Sequence, residues 1–336
     1  MDDSGELDHD ERTDVRCTAA GPGSVGTGSP YYNCNVSSGC AAQGSTWTLS
    51  TYTKTRYPQV LVHGMFGFNS LGPMNYFYGI PQELADGGAN SYVVKVDALN
   101  STEVRGEQLL KQVKTILALT GSSKVNLIGH SQGGPTSRYV LGVSPASVAS
   151  VTSVGSPHKG SPVADIVKQV NAAGGVGVSA FMSGIANGLA GLINLISGNT
   201  ADSNQNFNAS IESLSTTGSA KFNARFPAGM PTTACGEGTY TAANGARLYS
   251  WGGTSPLTNV LDPSDAFTGA LSLAFSEDND GLVGRCSNHF GQVLRDNYSM
   301  NHLDEVNMLV GLTSLFETSP KEVFRAHANR LKNAGL

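Results

Sequence analysis

The sequence predicts an α/β fold, a mostly parallel sheet with helices on both faces. Short apolar runs that read as buried strands alternate with stretches whose apolar residues fall at helical spacing. The runs are continuous rather than alternating, the pattern of strands covered on both faces. Glycine supplies 41 of the 336 residues, which favours many tight turns over long helical rods.

Residues 1–49 stand apart. The first sixteen hold seven acids and two bases and so carry the whole net charge of −5. A Gly- and Ser-rich stretch without apolar period follows, and the segment is expected to be a disordered tail or foreign to the body. From Tyr57 the pattern changes. YPQVLVHG (57–64), SYVVKVDAL (91–99), KVNLIGHS (124–131) and VASVTSVGSP (148–157) each read as a strand. Between the second and third, Val104, Leu109, Leu110, Val113, Ile116 and Leu117 mark an amphipathic helix over 102–120, with Gly121 as its stop. SRYVLGV after Ser131 suggests another helix. One domain, residues 50–336, accounts for all of these.

Charged residues make up only 14% of the chain, against about 25% in an average soluble protein. No basic patch of the kind nucleic acid requires is present. The acidic start lacks an apolar leader segment. Five cysteines occur without a CxxC pair, which argues against zinc.

VNLIGHSQGG is where chemistry enters. Ser131 lies in Gly129-His130-Ser131-Gln132-Gly133, at the carboxyl end of a strand, where open α/β sheets bind ligands. The pentapeptide alone is a weak signal, but a strand before it and a helix after it are what a nucleophile elbow needs. Such a serine requires a base and an orienting acid, in the order Ser, Asp or Glu, His. His158 follows too soon to leave room for the acid, and His327, in FRAHANR, reads as part of a solvated helix face. His289 and His302 remain as bases, with Asp278 and Asp280 as acids, and spacing does not choose among them. The oxyanion donors are expected to be the backbone N–H of Gln132 and that of Met65 in HGMFGF.

YPQVLVHGMFGF, EVRGEQLL, KVNLIGHSQGG, SVGSPHKGS, DPSDAF, NDGLVG and DNYSMNHLDEVN together resemble the secreted bacterial triacylglycerol lipases of the Pseudomonas and Burkholderia type, from about Ser50 to Leu336. The resemblance implies an α/β-hydrolase fold, with Ser131 as nucleophile, Asp280 as acid and His302 as base. It implies one structural calcium held by Asp262, Asp304 and the carbonyls of Met308 and Leu312, and a Cys235–Cys286 disulfide. Cys17, Cys34 and Cys40 have no family counterpart and leave an odd thiol. A dedicated foldase chaperone, secretion, and a lipid substrate met at an oil–water interface are further implications.

Val178, Phe181, Met182, Ile185, Leu189 and Leu192 recur at helical spacing with a polar opposite face, which disfavours a transmembrane reading. Taken alone they suggest a core helix; the resemblance makes them the mobile lid, within a cap around 160–215. Two readings compete with a lipase: an esterase for short, soluble esters, and a catalytically silent binding protein of the same fold.

Overall fold

A computed structural model of the chain describes residues 31–44, 50–67, 70–71, 74–172, 205–308 and 311–336. In chain order its elements are β1 (Tyr31–Asn35), β2 (Gly39–Gln43), β3 (Gln59–Val62), β4 (Ser70–Leu71), β5 (Met74–Asn75), α1 (Ile80–Asp86), β6 (Ser91–Val94) and α2 (Thr102–Thr120). There follow β7 (Val125–His130), α3 (Gly133–Val143), β8 (Val148–Val154), α4 (Pro162–Ala172), α5 (Phe207–Leu214) and α6 (Thr216–Arg225). The chain ends with β9 (Arg247–Gly253), α7 (Pro263–Ser272), β10 (Gln292–Tyr298) and α8 (Pro320–Asn333). Eight strands share one sheet in the order β10-β9-β8-β7-β3-β6-β1-β2, while β4 and β5 form a separate ribbon. Every neighbouring pair in the large sheet is parallel except β1–β2.

Each central strand feeds two cores, because successive side chains point to opposite faces. On β3, Val60 and Val62 join Leu109, Val113 and Val140 on the side of α2 and α3. Leu61, between them, joins Leu84 and Phe324 on the side of α1 and α8. This two-sided burial explains why the strands read as unbroken apolar runs.

The helix expected over 102–120 spans those residues. The Ser101 hydroxyl caps it by accepting the Val104 N–H, and Gly121 ends it at φ 65°, a conformation that costs other residues a Cβ clash. Its buried face differs from the expected one. Val104 is exposed, and Arg105 takes the inward place, one and two turns before Leu109 and Gln112.

Two expectations are corrected. Residues 31–43 are not an unstructured tail: β1 pairs with β6 and β2 closes a hairpin on it. Cys34 and Cys40 face each other across that hairpin in a disulfide, so the thiol left over is Cys17 alone. His327 does not lie on a solvated face. It is 1% exposed, bonded through Nε2 to Thr152 Oγ1 at 2.8 Å and packed against the Tyr249 and Trp251 rings. Cys235 and Cys286 form the second disulfide. Val178, Phe181, Met182, Ile185, Leu189 and Leu192 lie outside the described residues. Among those described, no helix is long and apolar enough to cross a membrane.

Candidate active site

Ser131 sits between β7 and α3 at φ 55°, a left-handed backbone unusual for a residue with a Cβ. The turn closes because a Cβ at Gly129 would strike the Gly133 backbone and one at Gly133 would strike the Val62 carbonyl. The Ser131 N–H donates to Val154 O at 2.9 Å and the Gly134 N–H to Ser131 O at 3.1 Å, which fixes the bend. Strain held this firmly is a mark of a working position.

Met65 and Gln132 flank the serine from two loops, after β3 and after β7. Among the described residues neither backbone N–H donates to another part of the chain. The loop carrying Met65 is fastened from behind by Arg105, a fully buried residue whose guanidinium donates to His63 O at 2.5 Å, Gly64 O at 3.2 Å and Asp97 O at 2.6 Å. Burial lowers its pKa to about 10, still far above neutrality. Phe66, next to Met65, is also left-handed, at φ 58°, and its N–H donates to Ala98 O at 2.9 Å. Arg105 was not singled out from the sequence; its signal was a lone cation on the apolar side of an amphipathic helix.

Of the candidate bases, His302 faces the serine's cavity and His289 does not. His302 Nδ1 lies 2.8 Å from Asp280 Oδ2. Asp280 is 1% exposed, and its Oδ1 accepts the Leu282 and Val283 N–H groups at 2.8 and 2.7 Å. The carboxylate thus has one oxygen left for the imidazole. Asp278 instead reaches toward Arg285 at the surface. His289 is held by Gly236 O at 3.0 Å and Asp296 at 3.0 Å, and His158 by Arg138 at 3.1 Å.

A buried polar row lies behind the serine. Tyr76 Oη accepts the Gly64 N–H at 3.0 Å and lies 2.6 Å from His130 Nδ1. His130 Nε2 is 3.3 Å from Glu305 Oε2, at angles that fall short of a hydrogen bond, while Glu305 Oε1 accepts the Gly253 N–H at 2.6 Å. Burial, with His302 nearby, keeps the His130 pKa well down. Burial, with Asp280 nearby, pushes that of Glu305 well up. Each shift disfavours the charged form of its own group. His130, His302 and Glu305 bring ligand-type atoms within 4.8 Å of one another, a trio that could hold a metal ion; two imidazoles suit a transition metal rather than calcium.

An oxygen-rich cluster includes Asp304, the residue before Glu305. Asp262 and Asp304 are 4% and 2% exposed. Asp262 Oδ1 caps α7 by accepting the Ser264 N–H at 2.7 Å, and its Oδ2 is buried without a partner. Asp304 Oδ2 accepts the Thr258 hydroxyl at 2.7 Å and the Asn301 N–H at 3.3 Å. Burial, with the charges of Asp262 and Asp265, pushes the Asp304 pKa up to about 7. Met308 is buried beside this turn, and Leu312 is partly buried.

Ser131 and His302 open on a cavity of about 280 Å³. Met65, Phe66, Val167, Phe207, Leu271 and Leu282 are among its mainly apolar walls. Its polar lining residues include Ser131, His302, His130, Tyr76 and Ser161.

Residues 57–306 match the family described as alpha/beta hydrolase fold. A Vibrio cholerae protein named triacylglycerol lipase is 58% identical over 85% of this chain and 90% of its own. A Burkholderia plantarii protein of the same name is 40% identical over 88% of this chain and 91% of its own. In structure the chain is similar to the Bacillus licheniformis lipase BlEst2 in mature form, with a TM-score of 0.56 and 18% identity over 82% of this chain and 92% of that one, which bears on the fold alone. The chain belongs to the α/β-hydrolase family, in the group of serine ester hydrolases whose curated members are named triacylglycerol lipase.

Proposed function

We propose that this protein hydrolyses long-chain acylglycerol esters at oil–water interfaces, through an acyl-enzyme on Ser131 with His302 and Asp280 as its base and acid. The observation that carries this reading is the conjunction of a strained serine, a His302–Asp280 pair and one apolar cavity that both the serine and the histidine line.

The chemistry follows from the hydrogen bonds. With Nδ1 engaged by Asp280, His302 has Nε2 as the atom that takes the Ser131 proton. Ser131 Oγ attacks the ester carbonyl, and the N–H groups of Met65 and Gln132, which no chain atom among the described residues occupies, receive the oxyanion. Asp280 favours the imidazolium that forms. His302 returns the proton to the leaving alcohol, and water then releases the fatty acid by the reverse route. Arg105 touches no reacting atom; it is a positioning residue for the Met65 loop.

The residues fit one structural calcium. Asp262, with an orphaned buried oxygen, and Asp304, crowded by neighbouring acids, are two hard oxygen donors short of a counter-charge. The carbonyls of Met308 and Leu312 would complete the set. When bound, the ion supplies that positive charge and ties the turn bearing His302 to the start of α7. Two disulfides support an oxidising location outside the cytosol. Through the family resemblance the proposal includes a lid around Val178–Leu192 and a dedicated foldase.

Labelling with a long-chain phosphonate ester, read by mass spectrometry, tests the reading. A single adduct on Ser131 that forms faster when an emulsion is present is the expected result. Equal rates with and without emulsion would favour a soluble-ester esterase. No adduct on folded, calcium-loaded protein would mean a silent site.

A further inference from the structure

The loop after β6 fastens both oxyanion donors. On one side, Ala98 O accepts the N–H of Phe66, the residue after Met65, at 2.9 Å, and Asp97 O accepts the Arg105 guanidinium. On the other, Asn100 O accepts Gln132 Nε2 at 2.9 Å. Asn100 Nδ2 donates to Asp97 Oδ2 at 2.9 Å, which ties the two halves of the loop together. Asp97, Asn100 and Gln132 are all buried, so water offers these groups no substitute partner.

That loop is held in turn by α5 and the two residues before it. The Leu99 N–H donates to Gln205 Oε1 at 2.7 Å, and the Asn206 N–H to Leu99 O at 2.6 Å. The Thr102 N–H donates to Ser213 Oγ at 3.1 Å. Ser210, wholly buried, donates to Asn100 O at 2.8 Å, the same carbonyl that holds Gln132. The neighbouring flank of α5 belongs to the cavity. Phe207, Ile211 and Leu214 recur at helical spacing and line it beside Ser131. One short helix therefore touches the cavity with one flank and the support of the oxyanion site with the next.

We infer that Ser210 is a positioning residue for the oxyanion donor of Gln132, and that α5 makes the alignment of this donor depend on acyl length. The inference rests on the ester-hydrolase reading above and deepens it. An acyl chain packed against Phe207, Ile211 and Leu214 seats α5, and Ser210 then holds Asn100 O where Gln132 needs it. Binding energy from the remote end of the chain is in this way realised in the transition state. Longer acyl groups thus raise kcat rather than lower KM.

The test measures kcat and KM of the full-length protein on p-nitrophenyl acetate and p-nitrophenyl octanoate, each dissolved without an emulsion. In the wild type the gain from acetate to octanoate should appear mainly in kcat. Ser210→Ala should lower kcat on octanoate about tenfold, a part of what losing an oxyanion donor outright costs, with KM unchanged. Acetate leaves α5 unloaded, so its kcat should stay within about threefold. Inhibition by octylboronic acid, whose adduct puts an oxygen at the oxyanion position, should weaken about tenfold, while inhibition by 1-octanol holds. Gln205→Met removes the Leu99 acceptor at a half-exposed site and should show the same pattern at smaller amplitude, which carries the test if Ser210→Ala does not fold. Glu212→Gln, on α5 but paired with Lys168 and Lys221, should keep both rates within about twofold. Equal losses on the two esters, a loss confined to KM, or unmoved boronic acid inhibition overturns the inference. A wild type that hydrolyses neither ester overturns the ester-hydrolase reading instead, before any variant is compared.

Discussion

Two histidine–aspartate pairs are built from the same stretch of chain, Asp280 to His302, and only one opens on the serine's cavity. In the first, Asp280 spends one oxygen on two backbone N–H groups and the other on His302 Nδ1. No cationic side chain bonds to it among the described residues. In the second, Asp296 is shared between His289 at 3.0 Å and Arg285 at 2.8 and 3.1 Å, and His289 spends its other nitrogen on Gly236 O. Both histidines are nearly buried, at 5% and 4%. The difference is what remains: His302 keeps a nitrogen for the cavity, whereas both nitrogens of His289 are consumed. A histidine beside an aspartate is a structural commonplace until one ring atom is left facing a substrate.

Replacing the histidines separates the pairs most sharply. His302→Gln should lower kcat/KM on tributyrin by about 10⁴-fold or more, as loss of a triad base does. His289→Gln should keep the rate within about threefold and cost stability instead, about 1 kcal/mol for each hydrogen bond lost. Thermal unfolding read beside initial rates checks both; a large rate loss at His289 with unaltered stability would break the comparison. The aspartates come next. Asp280→Asn disturbs the tautomer that leaves Nε2 free and should cost up to about 10⁴-fold in kcat. Asp296→Asn leaves Arg285, which reaches solvent, and should cost only about 1 kcal/mol and no rate.

The two regions are also fastened differently. His289 follows Cys286, which is tied covalently to Cys235. His302 precedes Asp304, which with Asp262 is proposed to hold a calcium ion. A chelator should therefore remove most activity at temperatures where the chain stays folded, with recovery on adding calcium. Reduction should act in the other sense, lowering stability by up to about 4 kcal/mol for so long a loop while the folded fraction keeps its rate. Circular dichroism and activity followed together on one sample distinguish the two; a chelator effect on unfolding temperature alone would place the ion outside the site's support.

How much of this could be read beforehand depended on how local each signal was. The elbow around Ser131, the helix from Thr102 to Thr120 and strands β3, β6, β7 and β8 are written in contiguous residues, and each was legible. The hairpin of β1 and β2 was not. Its strands are mostly half-exposed, with Cys34 alone fully buried, so no apolar period announces them; their partner β6 lies far along the chain. His327 was misread for the opposite reason. FRAHANR looks polar, yet Phe324, His327, Ala328 and Leu331 fall on one helical face and all are buried. The choice of His302 over His289 needed the fold, or a resemblance standing in for it, because both sit in loops at comparable distance from an acid. The supports of the site, Arg105, Tyr76 and Glu305, join the loops after β3 and β6 to the ends of β7 and β9, and no spacing rule reaches that far.

The smallest effect extends the comparison to histidines that have no aspartate at all. His63, His158 and His327 are buried, and the charges facing them are cationic. Arg105 and Lys95 act on His63, Arg138 and Lys159 on His158, and Arg330 on His327. Burial first, and those cations second, hold the His63 pKa down to about 3 and the other two well below the usual 6.5. In the unfolded chain these groups take up protons near pH 6.5, and in the folded one they do not until far lower. Between those limits the unfolded state binds more protons, so stability is fully present above pH 6.5 and falls as pH drops below it. Each such histidine adds up to about 1.4 kcal/mol per pH unit in that window. His327→Phe removes one contributor while keeping a ring between Tyr249 and Trp251, at the cost of the Thr152 bond. Denaturant unfolding of this variant between pH 7 and 5 should show a shallower fall than wild type. An identical slope would mean that His327 is already charged when folded, and that a buried imidazole without a carboxylate is tolerated here as a cation.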